Sequence, residues 1–264
     1  MKIVVIGGTG LIGSKVVENL GARGHQVVAA APSTGVDVLT GKGLSSALAG
    51  AQVVVDLSNP PSFDDESVRH FFKTAGSNLF AAEAEAGVRS HVALSVVGTE
   101  KLEASGYFRG KIAQEQLIVD SGIPYTIVRS TQFFEFLPRM IQNAEDGGSV
   151  RMPPTLVQPI AGEDVATAVA RAALEAPVNG IIEIAGPGRE PLDNFARRFM
   201  SLTGDPREVL TDAHAPYFGA ELDRDTLIPE SSAWTGTVSF ERWFGRSKYV
   251  PADMPRATAP FCRP

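Results

Sequence analysis

Two stretches of this 264-residue chain combine residue types and spacings that can do chemistry. One is Gly7-Gly8-Thr9-Gly10-Leu11-Ile12-Gly13, set between an apolar run and an amphipathic one; the other is Tyr107-Phe108-Arg109-Gly110-Lys111. In the first, Gly7 permits a tight turn, Gly10 leaves room for the backbone to approach a pyrophosphate, and Gly13 lets a helix pack close to a sheet. Free N–H groups where that helix begins attract phosphates, so Thr9, Leu11 and Ile12 belong to the same candidate binding turn. In the second, Tyr107 and Lys111 stand four apart and share one face of a helix. A phenol with a reference pKa of about 10 exchanges protons poorly at neutral pH, and a neighbouring ammonium stabilises its phenolate.

These residues are useful only if the fold positions them. Residues 2–6 are a continuous apolar run ended by glycines, the pattern of a strand buried on both faces. Residues 11–22 then carry Ile12, Val16 and Leu20 at helical spacing. Further strands are expected at 26–30, 36–39, 53–57, 88–95 and 125–128, with helices at 44–48, 64–87 and 107–121. Strand–helix alternation predicts an α/β fold, a doubly wound parallel sheet of Rossmann type, whose ligands bind beyond the carboxyl ends of the strands. After residue 130 the pattern loosens, with helices expected at 133–144, 164–175 and 192–202 and a strand at 181–185. The expected division is therefore a dinucleotide-binding core, 1–130, and a mixed segment, 131–264. That segment adds a strand and helices to the core and forms a small C-terminal substrate lobe over the carboxyl edge of the sheet.

The glycine turn in this context predicts NAD or NADP as cofactor. The choice between them stays open. Where the second strand ends, an acidic residue would bind the ribose hydroxyls of NAD and a basic one the extra phosphate of NADP. The sequence has Ala29-Ala30-Ala31-Pro32-Ser33-Thr34 there, so Ser33 and Thr34 are the available donors to either. Ser58 and Asn59 follow the fourth expected strand, where the backbone passes the cofactor's ribose, although Pro60 and Pro61 would equally suit a fixed loop.

These motifs resemble those of the NmrA-like group of atypical short-chain dehydrogenases/reductases. The resemblance rests on residues 7–13, on His91-Val92-Ala93-Leu94-Ser95-Val96-Val97-Gly98, on Tyr107 through Lys111, on Arg129-Ser130-Thr131-Gln132-Phe133-Phe134, and on Asp164-Val165-Ala166. It implies that Tyr107 is the proton donor, that Lys111 also holds the nicotinamide ribose, and that Ser95 hydrogen-bonds the substrate oxygen. Asn78 resembles the helix asparagine of the superfamily, and a purely structural amide is the competing reading. Val97, Gln132, Phe133 and Phe134 fall where substrate should lie; Arg129 lies there too, or anchors a carboxylate.

Aromatic residues after the sixth expected strand (Phe133, Phe134, Phe136) and in the C-terminal part (Tyr217, Phe218, Trp234, Phe240, Trp243, Phe244) suggest an apolar pocket among mostly core rings. The favoured function is thus NAD(P)H-dependent reduction of a hydrophobic, aromatic or quinone-like carbonyl compound. Two alternatives stand beside it: a tailoring enzyme of the same fold acting on a polycyclic aromatic, such as by oxygenation, and a non-catalytic NAD(P)-sensing regulator. A net charge of −6 argues against nucleic acid as partner. No apolar run reaches the ~18 residues of a membrane span and no signal peptide is read, so a cytoplasmic protein is expected. A homo-oligomer is compatible with the sequence. His25, His70, His91 and His214 lack metal-ligand spacing, and no metal site is expected. The single cysteine, Cys262, reads as a bystander thiol.

Overall fold

Alternate residues of the first strand, β1 (Lys2–Ile6), serve opposite layers. Ile3 and Val5 pack with Val16 and Leu20, whereas Val4 and Ile6 pack with Leu44, Leu48 and Leu79. A strand apolar on both faces belongs inside a parallel sheet covered by helices on both sides. The computed structural model, which describes residues 1–62, 64–230 and 233–251, places it there. Cys262 lies outside the described residues.

The chain continues through α1 (Gly13–Ala22), β2 (Gln26–Ala30), α2 (Leu44–Leu48), β3 (Val53–Asp56), α3 (Asp65–Ala86), β4 (Ser90–Val96), α4 (Gly106–Asp120) and β5 (Tyr125–Ser130). Then come α5 (Leu137–Asn143), β6 (Glu145–Asp146), β7 (Ser149–Met152), β8 (Leu156–Val157), α6 (Gly162–Leu174) and β9 (Gly180–Ala185). The described chain closes with β10 (Glu190–Pro191), α7 (Leu192–Thr203), β11 (Glu208–Thr211), β12 (Trp234–Thr235) and α8 (Phe240–Phe244). Seven strands form one parallel sheet in the order β12-β9-β5-β4-β3-β1-β2. Helices α1 and α6 share a core with one face, while α2 and α3 cover the other. This is the doubly wound Rossmann-type architecture. The chain steps from β1 to β2 on one side and to β3 on the other, so a crevice opens at the carboxyl ends of β1 and β3. No helix among the described residues is long and apolar enough to cross a membrane.

A further apolar cluster, the lobe, is built by Phe134, Leu137 and Met140 with Phe195, Phe199, Phe240 and Phe244. Asp164, near the start of α6, ties this layer down by accepting the N–H groups of Thr237 and Val238, each at 2.9 Å.

Two expected elements are corrected. Residues 36–39 form no strand. Pro32–Thr34 is a single 3-10 turn, and Gly35, Gly41 and Gly43 take φ of 85°, 74° and 76°, which turns the chain away from the edge of β2. The Val38 and Leu39 carbonyls are then satisfied by the Asn78 side chain, each at 2.9 Å, instead of by a strand ladder. Asn78 therefore has the structural role. Residues 133–144 are not one helix but a 3-10 turn, Phe134–Phe136, followed by α5. Pro138 sets the break, because proline fits only the first turn of a helix.

Candidate active site

The glycine turn leaves β1 at its carboxyl end and feeds α1. At Gly7, with φ of 72°, a Cβ would lie 2.7 Å from the Leu57 carbonyl oxygen; at Gly8 it would lie 2.8 Å from the Ala29 Cα. At Gly13 it would fall 2.1 Å from the Gly7 carbonyl oxygen. Those three glycines are demanded by the protein's own packing. Gly10 differs: its nearest neighbour is the Gly7 oxygen at 3.2 Å, and it borders a cavity. The Gly10 N–H closes the turn onto Gly7 O at 2.9 Å, and Ser14 N–H bonds Gly10 O at 3.0 Å. Among the described residues, the N–H groups of Leu11 and Ile12 between them make no such backbone bond. A side-chain-free approach beside spare donors at a helix start fits a pyrophosphate.

Ser33 and Thr9 meet across the outer end of this turn, their hydroxyl oxygens 3.3 Å apart and exposed. Thr34, expected beside them, instead closes its own turn. Its hydroxyl accepts the Ala31 N–H at 2.9 Å and donates back to a carbonyl of Ala29 or Ala31. Thr9, Ser33 and Thr34 all stand away from the main cavity.

That cavity, of about 290 Å³, starts at Gly7, Gly10 and Leu11 through Gly13, passes Ser58 and Asn59, and reaches Tyr107 and Lys111. Phe133, Phe136, Met140, Tyr217 and Phe218 also line it. The two chemically suggestive stretches, about a hundred residues apart in sequence, thus border one space.

Lys111 is buried on α4. Its Nζ donates to Leu94 O at 2.8 Å and to Gln114 Oε1 at 2.7 Å, and lies 4.9 Å from the Phe72 ring centre. The Gln114 amide in turn donates to Asp56 Oδ2 at 2.8 Å, and Asp56 Oδ1 accepts the Ser58 N–H at 2.9 Å. Burial pushes the ammonium down to about 8, opposed by the negative charges of Asp56 and Glu115. The Tyr107 hydroxyl donates to Asn59 Oδ1 at 3.2 Å, and its ring packs at 6.4 Å from Phe72 and 5.4 Å from Phe108. Burial pushes this phenol above its ordinary value, only partly offset by Asn59. The expected lowering by Lys111 is not the dominant effect. Tyr107 is thus held as a neutral phenol.

Ser95 also borders the cavity, but its hydroxyl donates to Glu115 Oε1 at 2.5 Å. Glu115 further accepts from Arg129 Nε and Nη2 at 3.0 and 2.7 Å, and Arg129 pairs with Glu100 as well. Arg129 is therefore an anchor for carboxylates. Val97 does not reach the cavity: it is 1% exposed and its N–H bonds Ser130 O at 2.9 Å, while Val96 borders the space. Side chains alternate along a strand, and Val96 is the one that packs against the lobe. Phe134 is likewise corrected. It sits in the lobe core against Phe195, Phe240 and Trp243, and Phe136 takes the place at the cavity wall. Gln132 and Phe133 border the cavity. Phe108 and Met140, which read in the sequence as ordinary core positions of helices, also border the cavity. His91 pairs in the interior with Glu83 at 2.9 Å and takes no part in the site.

A model of a family described as NAD(P)H-binding matches residues 7–177. The (4-alkanoyl-5-oxo-2,5-dihydrofuran-3-yl)methyl phosphate reductase of Streptomyces griseus subsp. griseus is 34% identical over 190 residues, 65% of this chain and 62% of that protein. The chloroplastic divinyl chlorophyllide a 8-vinyl-reductase of Cucumis sativus is 28% identical over 246 residues, 78% of this chain and 58% of the relative. The chain spans roughly half to three fifths of the length of the curated relatives it matches. Among solved structures, a short-chain dehydrogenase/reductase superfamily protein from Agrobacterium tumefaciens with bound NAD aligns with a TM-score of 0.67 at 18% identity, covering 92% of this chain and 94% of that one. At that identity the likeness speaks to the fold.

Proposed function

The chain belongs to the NAD(P)H-binding family, among the NmrA-like atypical short-chain dehydrogenases/reductases, and from that premise we propose that it is a NAD(P)H-dependent reductase of a small apolar carbonyl compound, aromatic or quinone-like. One observation carries the reading: the glycine turn, Lys111 and Tyr107 border a single cavity that is also lined by aromatic side chains and Met140. Both relatives named above are reductases, which supports the reaction class. Their substrates differ from one another, so the substrate proposed here rests on the cavity wall instead.

When bound, the dinucleotide supplies a hydride, becoming NAD(P)+ as the carbonyl carbon is reduced to an alcohol. The chain's own residues do the rest. Gly10 and the N–H groups at the start of α1 hold the pyrophosphate, with Thr9 and Ser33 at the outer end available to NAD or NADP alike. Lys111 has three N–H donors and gives two to Leu94 and Gln114, which leaves one for a ribose hydroxyl. Tyr107 gives its proton to the substrate oxygen, and Asn59 orients the phenol before that transfer. The apolar wall of Phe133, Phe136, Met140, Tyr217 and Phe218 excludes water and selects the substrate.

The test follows NADH and NADPH oxidation over a panel of quinones, aromatic ketones and sugars. Tyr107→Phe is expected to lose about a hundredfold or more in kcat. Wild-type turnover by that variant, a preference for sugars, or tight dinucleotide binding with no turnover of any compound would each reject the reading.

A further inference from the structure

A carbonyl that gains negative charge on reduction needs more than one hydrogen-bond donor, and the end of β4 does not supply the second. The single hydrogen of Ser95 goes to Glu115, Val96 and Val97 follow, and the Thr99 hydroxyl donates to Val96 O at 2.6 Å. The cavity lining carries another phenol, Tyr217. It is 9% exposed, and its ring lies 6.4 Å from Phe108, the same ring that Tyr107 meets at 5.4 Å. Two phenols thus flank one side chain and border one cavity.

The backbone places Tyr217 there at a cost. Tyr217 and Ala220 exchange both main-chain hydrogen bonds, at 2.7 and 3.1 Å, across a two-residue turn. Phe218 and Gly219 at its centre take φ of 48° and 86°. Positive φ at both positions is the type I′ pattern, natural for glycine and uncommon for an aromatic residue. Such conformations persist where the surroundings fix them, and they gather at ligand clamps. Phe218 packs at 4.8 Å from the Tyr217 ring and also borders the cavity. Beside them is Gln132, buried in the cavity wall, with neither amide atom in a regular hydrogen bond among the described residues. A buried amide left in that condition is costly unless a ligand or a neighbour completes it. The Tyr217 hydroxyl is the group that adjoins it, and burial holds that phenol protonated.

We propose that Tyr217 is the second hydrogen-bond donor to the substrate oxygen, so that the developing oxyanion is held between Tyr107 and Tyr217 while Gln132 orients the latter. Tyr217 keeps its proton throughout; the one transferred comes from Tyr107. The ligand this arrangement favours is a flat apolar molecule with an oxygen at its edge that bears negative charge in the transition state, as in a quinone or a conjugated ketone. The role in turnover rests on the reductase reading, whereas the binding of an oxyanion does not, and the experiment separates the two.

The probe is p-nitrophenolate, an unreactive aromatic oxyanion, titrated spectrophotometrically into the full chain with NAD(P)+ present. Tyr217→Phe, which keeps the ring and its packing, is expected to weaken binding about ten- to hundredfold, the loss of one hydrogen bond to a charged acceptor. Its dinucleotide affinity is expected to equal that of the wild type. Failure of the wild type to bind the phenolate, or equal binding by Tyr217→Phe, overturns the proposal. Phenolate binding that depends on Tyr217 in a protein that oxidises no NAD(P)H would uphold this site and reject the reductase reading instead.

Discussion

The ammonium of Lys111 is coupled to the carboxylate of Asp56 through the Gln114 amide, and that coupling opposes the burial that pushes Lys111 down to about 8. The bonds on either side of the amide measure 2.7 and 2.8 Å. Spanning the amide as well puts the two charges about 7 Å apart, worth on the order of 2 kcal/mol at an effective dielectric near ~20. Removing the charge with Asp56→Asn should therefore lower the Lys111 pKa by about 1.5 from its value of about 8. In the proposed role Lys111 holds the ribose as the ammonium, so wild-type dinucleotide affinity should weaken as pH rises through about 8. The same limb in Asp56→Asn should appear at about 6 to 7. Fluorescence titration of NAD(P)H across pH measures both. A limb that stays at its wild-type position in Asp56→Asn would refute the coupling.

The same group has a signature in stability, with a definite sign. Its folded pKa of about 8 lies below the 10.5 of the free side chain, so the unfolded chain binds more protons between those values. The penalty against folding is complete below the lower value and fades as pH rises towards the upper one. Urea unfolding should show stability increasing by on the order of 2 kcal/mol between about pH 7 and 9.5 from this group.

Two further substitutions separate packing from binding. Gly13→Ala places a methyl 2.1 Å from the Gly7 oxygen, so the turn must open, and calorimetric NAD(P)H affinity should fall about a hundredfold or more; wild-type affinity would sink that account. Phe134→Ala should cost about 3–5 kcal/mol in denaturant unfolding, whereas Phe136→Ala should cost about 1 kcal/mol and instead raise the KM for the carbonyl substrate. The reverse pattern would mean that the two rings have been assigned the wrong way round.

How far the sequence could be read depends on the distance over which each feature is determined. The strand, glycine turn and helix of residues 2–22 are contiguous, and the constraints on Gly8 and Gly13 come from the turn itself and from the neighbouring strand. Strand alternation and helix spacing therefore expose them without any knowledge of the remaining chain. Residues 36–39 have the composition of a strand, but whether they pair depends on the glycines around them and on Asn78, about forty residues away. Val96 against Val97, and Phe136 against Phe134, differ by one or two positions in segments where pattern alone does not say which side faces the lobe.

The harder case is Ser95. Its place just before the Tyr107 helix matches a role on the substrate, and nothing nearby in sequence competes for its hydrogen. The competitor, Glu115, stands on that same helix, four residues after Lys111. A four-residue step keeps Glu115 on the side of α4 that carries Lys111 towards the sheet, so the geometry that delivers Tyr107 and Lys111 also delivers a carboxylate to Ser95. That carboxylate is needed, because the partly buried Arg129 guanidinium on β5 has to be neutralised and Glu115 meets it with both oxygens. Ser95 is thus drawn into an ion-pair network that the sheet imposes, and in the proposed arrangement the second donor to the substrate oxygen comes from a different part of the fold. Tyr217, more than a hundred residues away beside a turn with positive φ at Phe218 and Gly219, is the donor proposed for it.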